Sequence, residues 1–121
     1  MDTVEAHTAN QSLGRIEVAP EVITTIARFV IRDIEGVTRM GTPPSGLWRR
    51  ATRHEGVVLQ YEDGRLVFDI YVLMNPHSNM VETSRQLQAA IVEAMDYMVG
   101  IPVETVNIHV EDVTYKQDEV A

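Results

Sequence analysis

The chain has no cysteine in 121 residues. Disulfides and thiol nucleophiles are therefore excluded, and a reducing setting, the cytoplasm, is expected. Lysine occurs once, at Lys116, and tryptophan once, at Trp48. No apolar run approaches the ~18 residues of a membrane-spanning helix, so no span is expected. The opening MDTVEAHTANQS has neither the basic nor the apolar region of a signal peptide. Positive charge is scarce: ten basic residues stand against eighteen acidic ones, for a net charge of −8. Such a chain repels phosphodiester backbones, so nucleic acid is not an expected partner.

Motifs for chemistry are also missing. The four histidines, His7, His54, His77 and His109, have no partner His at helical spacing and no Cys to share a metal with. His109 and Glu111 share one strand face, but two ligands do not define a metal site. Gly41–Gly46 opens like a P-loop, yet Leu47 and Trp48 stand where Lys and Ser/Thr would reach phosphate and magnesium. Pro43 and Pro44 remove two of the N–H groups that would cradle a phosphate. No nucleophile elbow surrounds Ser45. The carboxylates Asp33, Glu35, Asp69, Glu93 and Asp96 form no pair that sequence singles out for acid–base work. The expectation is a protein that is not an enzyme and holds no cofactor or metal.

What is present builds a domain. Apolar residues make up 45%, enough for one core at this length. Residues 1–12 lack periodicity and read as a disordered arm, 13–115 as a single domain, and 116–121 as a flexible tail. Ile16 and Val18 alternate with Arg15 and Glu17, the pattern of a short strand with one buried face. Pro20 suits the first turn of a helix and Glu21 its positive end. Ile23, Ile26, Ala27, Val30 and Ile34 follow helical spacing, and Val22, Phe29 and Ile31 widen the stripe, predicting burial on more than one side. Gly36 stops the helix. Val37–Met40 is a possible strand, and 41–56 reads as irregular.

GVVLQYEDGRLVFDIYVLM is a hairpin, with Asp63-Gly64 as its two-residue turn. That register pairs Tyr61 with Leu66, Leu59 with Phe68 and Val57 with Ile70 on one face, and Glu62 with Arg65 on the other. Asn79, with Glu82 three residues on, has a capping-box pattern. The helix from Met80 to about Val99 places Met80, Ser84, Leu87, Ile91, Ala94, Met95 and Met98 on one side. Gly100 and Pro102 end it. A last strand turns Val106, Ile108 and Val110 inward and Asn107, His109 and Glu111 outward. The order β-α-(β)-β-β-α-β predicts a two-layer α+β domain, with two helices on one face of a small mixed sheet.

Two surfaces are candidates for contact. In 41–56, Trp48 sits among Arg49, Arg50 and Arg53, with no acid before Glu55. A rigid apolar anchor with a basic rim suits a protein interface and equally a membrane surface, where Trp and basic residues sit at headgroup level. The plainer alternative is a core-capping Trp with arginines paired to surface carboxylates. On the opposite sheet face, Val58, Val67, Tyr71 and Leu73 interrupt the charges. Lone surface apolar residues are ordinary, but the four together suggest self-association.

The block GRIEVAPEVITTIARFVIRDIEGV resembles the start of the alkaline shock protein, or envelope stress response, family of Gram-positive and related bacteria. The residues that carry the resemblance are Gly14, Ile16, Val18, Ala19, Pro20, Glu21, Val22, Glu35, Gly36 and Val37. The hairpin is similar to the family's own. So is the ending with Gly100, Val103, Val106, Asn107, His109 and Val110. The resemblance covers roughly Leu13–Tyr115. It implies a non-enzymatic, stress-related cytoplasmic protein, sometimes held at the membrane by a separate anchor protein and prone to self-associate, with no catalytic residues to carry over. The central loop departs from the family's Gly-rich, Lys-containing pattern, being Pro- and Arg-rich. The expected function is a homo-oligomeric interaction domain that docks to a membrane anchor or a regulated enzyme. The alternative is a small-ligand or anion-sensing domain using the arginine loop 41–56.

Overall fold

The Asp63-Gly64 turn organises the sheet. In the computed structural model, which describes residues 4–5, 13–46 and 51–115, Asp63 and Gly64 both take positive φ, 52° and 77°. That matches the twist of a two-residue hairpin. It joins β5 (Val57–Glu62) to β6 (Arg65–Met74). The register is the one the alternation predicts: Tyr61 opposite Leu66, Leu59 opposite Phe68, Val57 opposite Ile70 and Glu62 opposite Arg65.

The other strands assemble on this hairpin. Those that precede it are β1 (Val4–Glu5), β2 (Glu17–Val18), β3 (Val37–Met40) and β4 (Thr52–His54). The last is β7 (Val103–Val113). β6 is the spine of a five-stranded mixed sheet: β7 runs parallel along it, while β5 and β3 are antiparallel to it. β5 takes the first half of β6 and β3 the second. Where they meet, Tyr71 donates its N–H to Gly56 O (2.8 Å) and accepts from Gly41 N–H (2.6 Å). β4 closes the far side against β5.

The helix layer is α1 (Pro20–Arg32) and α2 (Met80–Ala94), with a π-helical turn over Met95–Val99. α1 packs over β3, β4 and β5, α2 over β7, and the helices touch each other. Between the layers lie Ile23, Ala27 and Ile31 of α1, Leu87, Ile91 and Met95 of α2, and the inward row Leu66, Phe68, Ile70, Val72 and Met74 of β6. Apart from Ala27, each such side chain contributes about 1.5–3 kcal/mol on full burial. Asn79 caps α2 through Oδ1, which accepts from Glu82 N–H at 3.0 Å.

Several expectations change. Ile16 is exposed, and β2 pairs with β1 in a separate two-stranded ribbon instead of entering the main sheet. The ribbon uses Val4–Glu5, the described part of the arm expected to be structureless; the other residues of 1–12, and 116–121, lie outside the described residues. Helix α1 is buried on one side only, since Val22 and Phe29 are exposed while Ile23, Ala27 and Ile31 are fully covered. Neighbours at 100° spacing cannot all reach one sheet. The segment 41–56 is not wholly irregular. It contains β4, joined to β5 through Glu55 and Gly56, which both take positive φ.

The end of the second helix also differs. An unbroken α-helix would bury Met98, but Met98 is 59% exposed and Val99 only 7%. The buried positions are Thr83, Leu87, Ile91, Met95 and Val99, four apart throughout. Each four-residue step advances about 40° in an α-helix, so the last would face away from the first. The wider π turn corrects that drift, and Gly100 N–H donates five residues back to Met95 O at 2.8 Å.

Candidate functional site

The predicted loop site is only partly visible. Trp48, Arg49 and Arg50 lie outside the described residues, while Arg53 is exposed on β4, opposite Val58. The ends of that loop meet other elements. Gly41, Thr42 and Glu55 line a cleft of about 490 Å³ together with Arg28 and Arg32 from α1 and Arg39 from β3. The i, i+4 spacing sets Arg28 and Arg32 on one helix face, with guanidinium carbons 5.2 and 5.7 Å from the Phe29 ring centre. Arg28 pairs with Glu55 at 2.7 Å, and its Nε is buried without an acceptor among the described residues.

The outer sheet face does not offer the apolar patch that Val58, Val67, Tyr71 and Leu73 suggested. Val58 and Tyr71 are buried within the chain, and Val67 and Leu73 are half-buried. At its centre the face carries a polar cluster that sequence reasoning missed. Asp69, on β6 and 4% exposed, accepts from His109 Nε2 on β7 at 2.8 Å. The His109 ring stacks on Tyr71 at 4.3 Å between centres. Parallel pairing of β6 with β7 sets His109 beside Tyr71 and diagonal to Asp69. The available signal was an Asp inside a strand of apolar residues, VFDIY, because a buried carboxylate requires a donor. The Asp69–His109 pair satisfies a buried carboxylate and ties β6 to β7.

Apolar surface concentrates elsewhere, at the end of α2. Tyr97 is 89% exposed and Met98 59%, projecting from the π turn. With Ala90, Glu93 and Ala94 they line a shallow cleft of about 230 Å³. A second cleft of about 760 Å³ adjoins it across Glu93, with Ala89, Val92, Ile101, Pro102 and Val103 among its lining. Among the described residues there is no group of three or more His, Cys, Asp or Glu placed to hold a metal. No described helix is long and apolar enough to cross a membrane.

Residues 8–115 match the alkaline shock protein 23 family, a family of cell envelope-related function. The chain belongs to this family. Its curated relatives include the uncharacterized protein Spy1535 of Streptococcus pyogenes serotype M6, 30% identical over 103 residues, covering 84% of this chain and 80% of that one. The uncharacterized protein YqhY of Bacillus subtilis strain 168 is 25% identical over 119 residues, covering 95% and 84%. Among solved structures, a variant of the MamM CTD superposes with a TM-score of 0.53 at 14% identity, covering 78% of this chain and 96% of that one. At that identity the likeness concerns the fold. The alkaline shock match spans both helices, the five-stranded sheet and the exposed end of α2, so the apolar tract lies within the family's domain.

Proposed function

We propose that this protein is a non-catalytic, stress-related interaction domain of the cell envelope machinery, one that self-associates and acts at the membrane through a protein partner from the cytoplasmic side. The observation that carries the reading is the π turn, which turns Tyr97 and Met98 outward while keeping Val99 in the core. A π turn inside a helix is uncommon and recurs at functional positions. Tyr and Met are enriched at the centres of protein interfaces, and contiguous exposed apolar surface of this kind marks association sites. The occupant the reading favours is a second copy of the chain. A surface of two adjoining clefts, with apolar side chains beside Arg85, Glu93 and Asp96, suits a two-fold contact in which each copy presents the same patch. A membrane anchor or a regulated enzyme would dock on the assembled form.

Sedimentation velocity over a wide concentration range tests this. The wild-type chain is expected to shift from monomer to a larger species as concentration rises. Tyr97→Glu with Met98→Glu is expected to stay monomeric, with unchanged circular dichroism. A wild-type chain that remains monomeric throughout, or a double variant that assembles equally well, would refute the proposal.

A further inference from the structure

The geometry points to a phosphate-binding cleft between the C-terminal half of α1 and strand β3, a site separate from the association surface. Three guanidinium groups, Arg28, Arg32 and Arg39, line a cleft of about 490 Å³ beside a single lining carboxylate, Glu55. That is a local excess of positive charge in a chain of net −8. The arginines come from two elements far apart in sequence, so the fold gathers them.

The carboxylates of Glu55 and Glu111 offset part of this charge, three guanidinium groups against two, and leave a net excess of one. Arg28 has one ion pair, to Glu55, and a buried Nε with no acceptor among the described residues. Arg32 has the Phe29 ring as its contact among the described residues. Its place in the last turn of α1 also complements the helix dipole, but that does not involve Arg39, which stands on β3. Among the described residues Arg39 has no ion pair. The second carboxylate, Glu111, is nearby: its Oε1 accepts from Thr42 N–H at 2.7 Å, a neutral donor that leaves its negative charge in place.

Guanidinium is planar and matches phosphate oxygens two at a time, and Arg32 and Arg39 have no carboxylate partner among the described residues. Two or three such groups around one cavity favour a ligand with more than one negative charge. Its volume falls in the range of ordinary small-molecule sites. The ligand class is therefore a phosphate or diphosphate group, either on a free small molecule or on an anionic lipid headgroup. Glu55 competes with that anion for Arg28.

Two arms separate the sources. Isothermal titration of the full chain with inorganic pyrophosphate reads the free anion. Co-sedimentation with phosphatidic acid/phosphatidylcholine vesicles, against phosphatidylcholine alone, reads the headgroup. Saturable binding in either arm, weakened at least ~tenfold by Arg32→Gln with Arg39→Gln, is the expected result, since two charge-assisted contacts are lost. Binding in the vesicle arm alone, with the same loss, assigns the site to lipid. Glu55→Gln is expected to tighten binding; weaker binding would contradict the competition. Arg39→Gln alone, at an exposed position, keeps the test available if the double variant unfolds. No saturable binding in either arm, or equal binding by the variants, overturns the proposal.

Discussion

Replacing Gly56 by alanine is expected to cost about 3 kcal/mol of folding stability, far more than the same change at Gly64. Both glycines take positive φ, 86° and 77°. An L-residue there costs roughly 1–2 kcal/mol at either site. The surroundings differ. A Cβ at Gly56 would lie 2.8 Å from both Gly41 O and Tyr71 O, backbone atoms fixed in the ladder. At Gly64 the nearest atom, Tyr61 Oη, is 4.0 Å away. Relief at Gly56 means parting the strands where Tyr71 N–H bonds Gly56 O and Gly41 N–H bonds Tyr71 O. Each such bond is worth about 0.5–1.5 kcal/mol net. Adding one or both to the φ cost gives roughly 2–4 kcal/mol for Gly56→Ala, against about 1–2 for Gly64→Ala. Urea unfolding followed by circular dichroism measures both. With a slope of about 1–3 kcal/mol/M, the Gly56→Ala midpoint is expected to fall by roughly 1–3 M. Equal losses at the two glycines would refute the claim that β3 and β5 are held end to end along β6.

Three further outcomes follow from the packing. Asn79→Ala removes the acceptor for Glu82 N–H and is expected to cost about 1 kcal/mol, read by thermal or urea unfolding. Ile91→Ala is expected to cost about 2–5 kcal/mol, because Ile91 is fully buried between α2 and the sheet. Met98→Ala, at a solvent-facing position between the core residues Met95 and Val99, is expected to change stability by no more than ~0.5 kcal/mol; a core-sized loss would mean that α2 continues as an unbroken α-helix.

Much of the fold was legible because local signals agreed with each other. Asp63-Gly64 between alternating runs set both the turn and the register. Pro20 and Asn79 marked the two helix starts. What failed were features that no local signal carries. The phase of α2 depends on one π turn, which shifts burial from Met98 to Val99. The exposure of Ile16 depends on β2 pairing with β1 alone, and Tyr71 is covered by the His109 ring from β7. The contact sites were less legible still. Arg28 and Arg32 read as the polar face of a helix, and only the fold brings them to Arg39 and Glu55. Asp69 and His109 are forty residues apart, and only the parallel β6–β7 pairing joins them.

Hydrogen–deuterium exchange at low and high protein concentration tests the central claim most directly, because it reports where copies touch as well as whether they do. Concentration-dependent protection is predicted at 89–103, centred on the π turn with Tyr97 and Met98, while β3, β5 and the outer sheet face exchange equally at both concentrations. Protection confined to another surface, or none at a concentration where the chain is assembled, would contradict it.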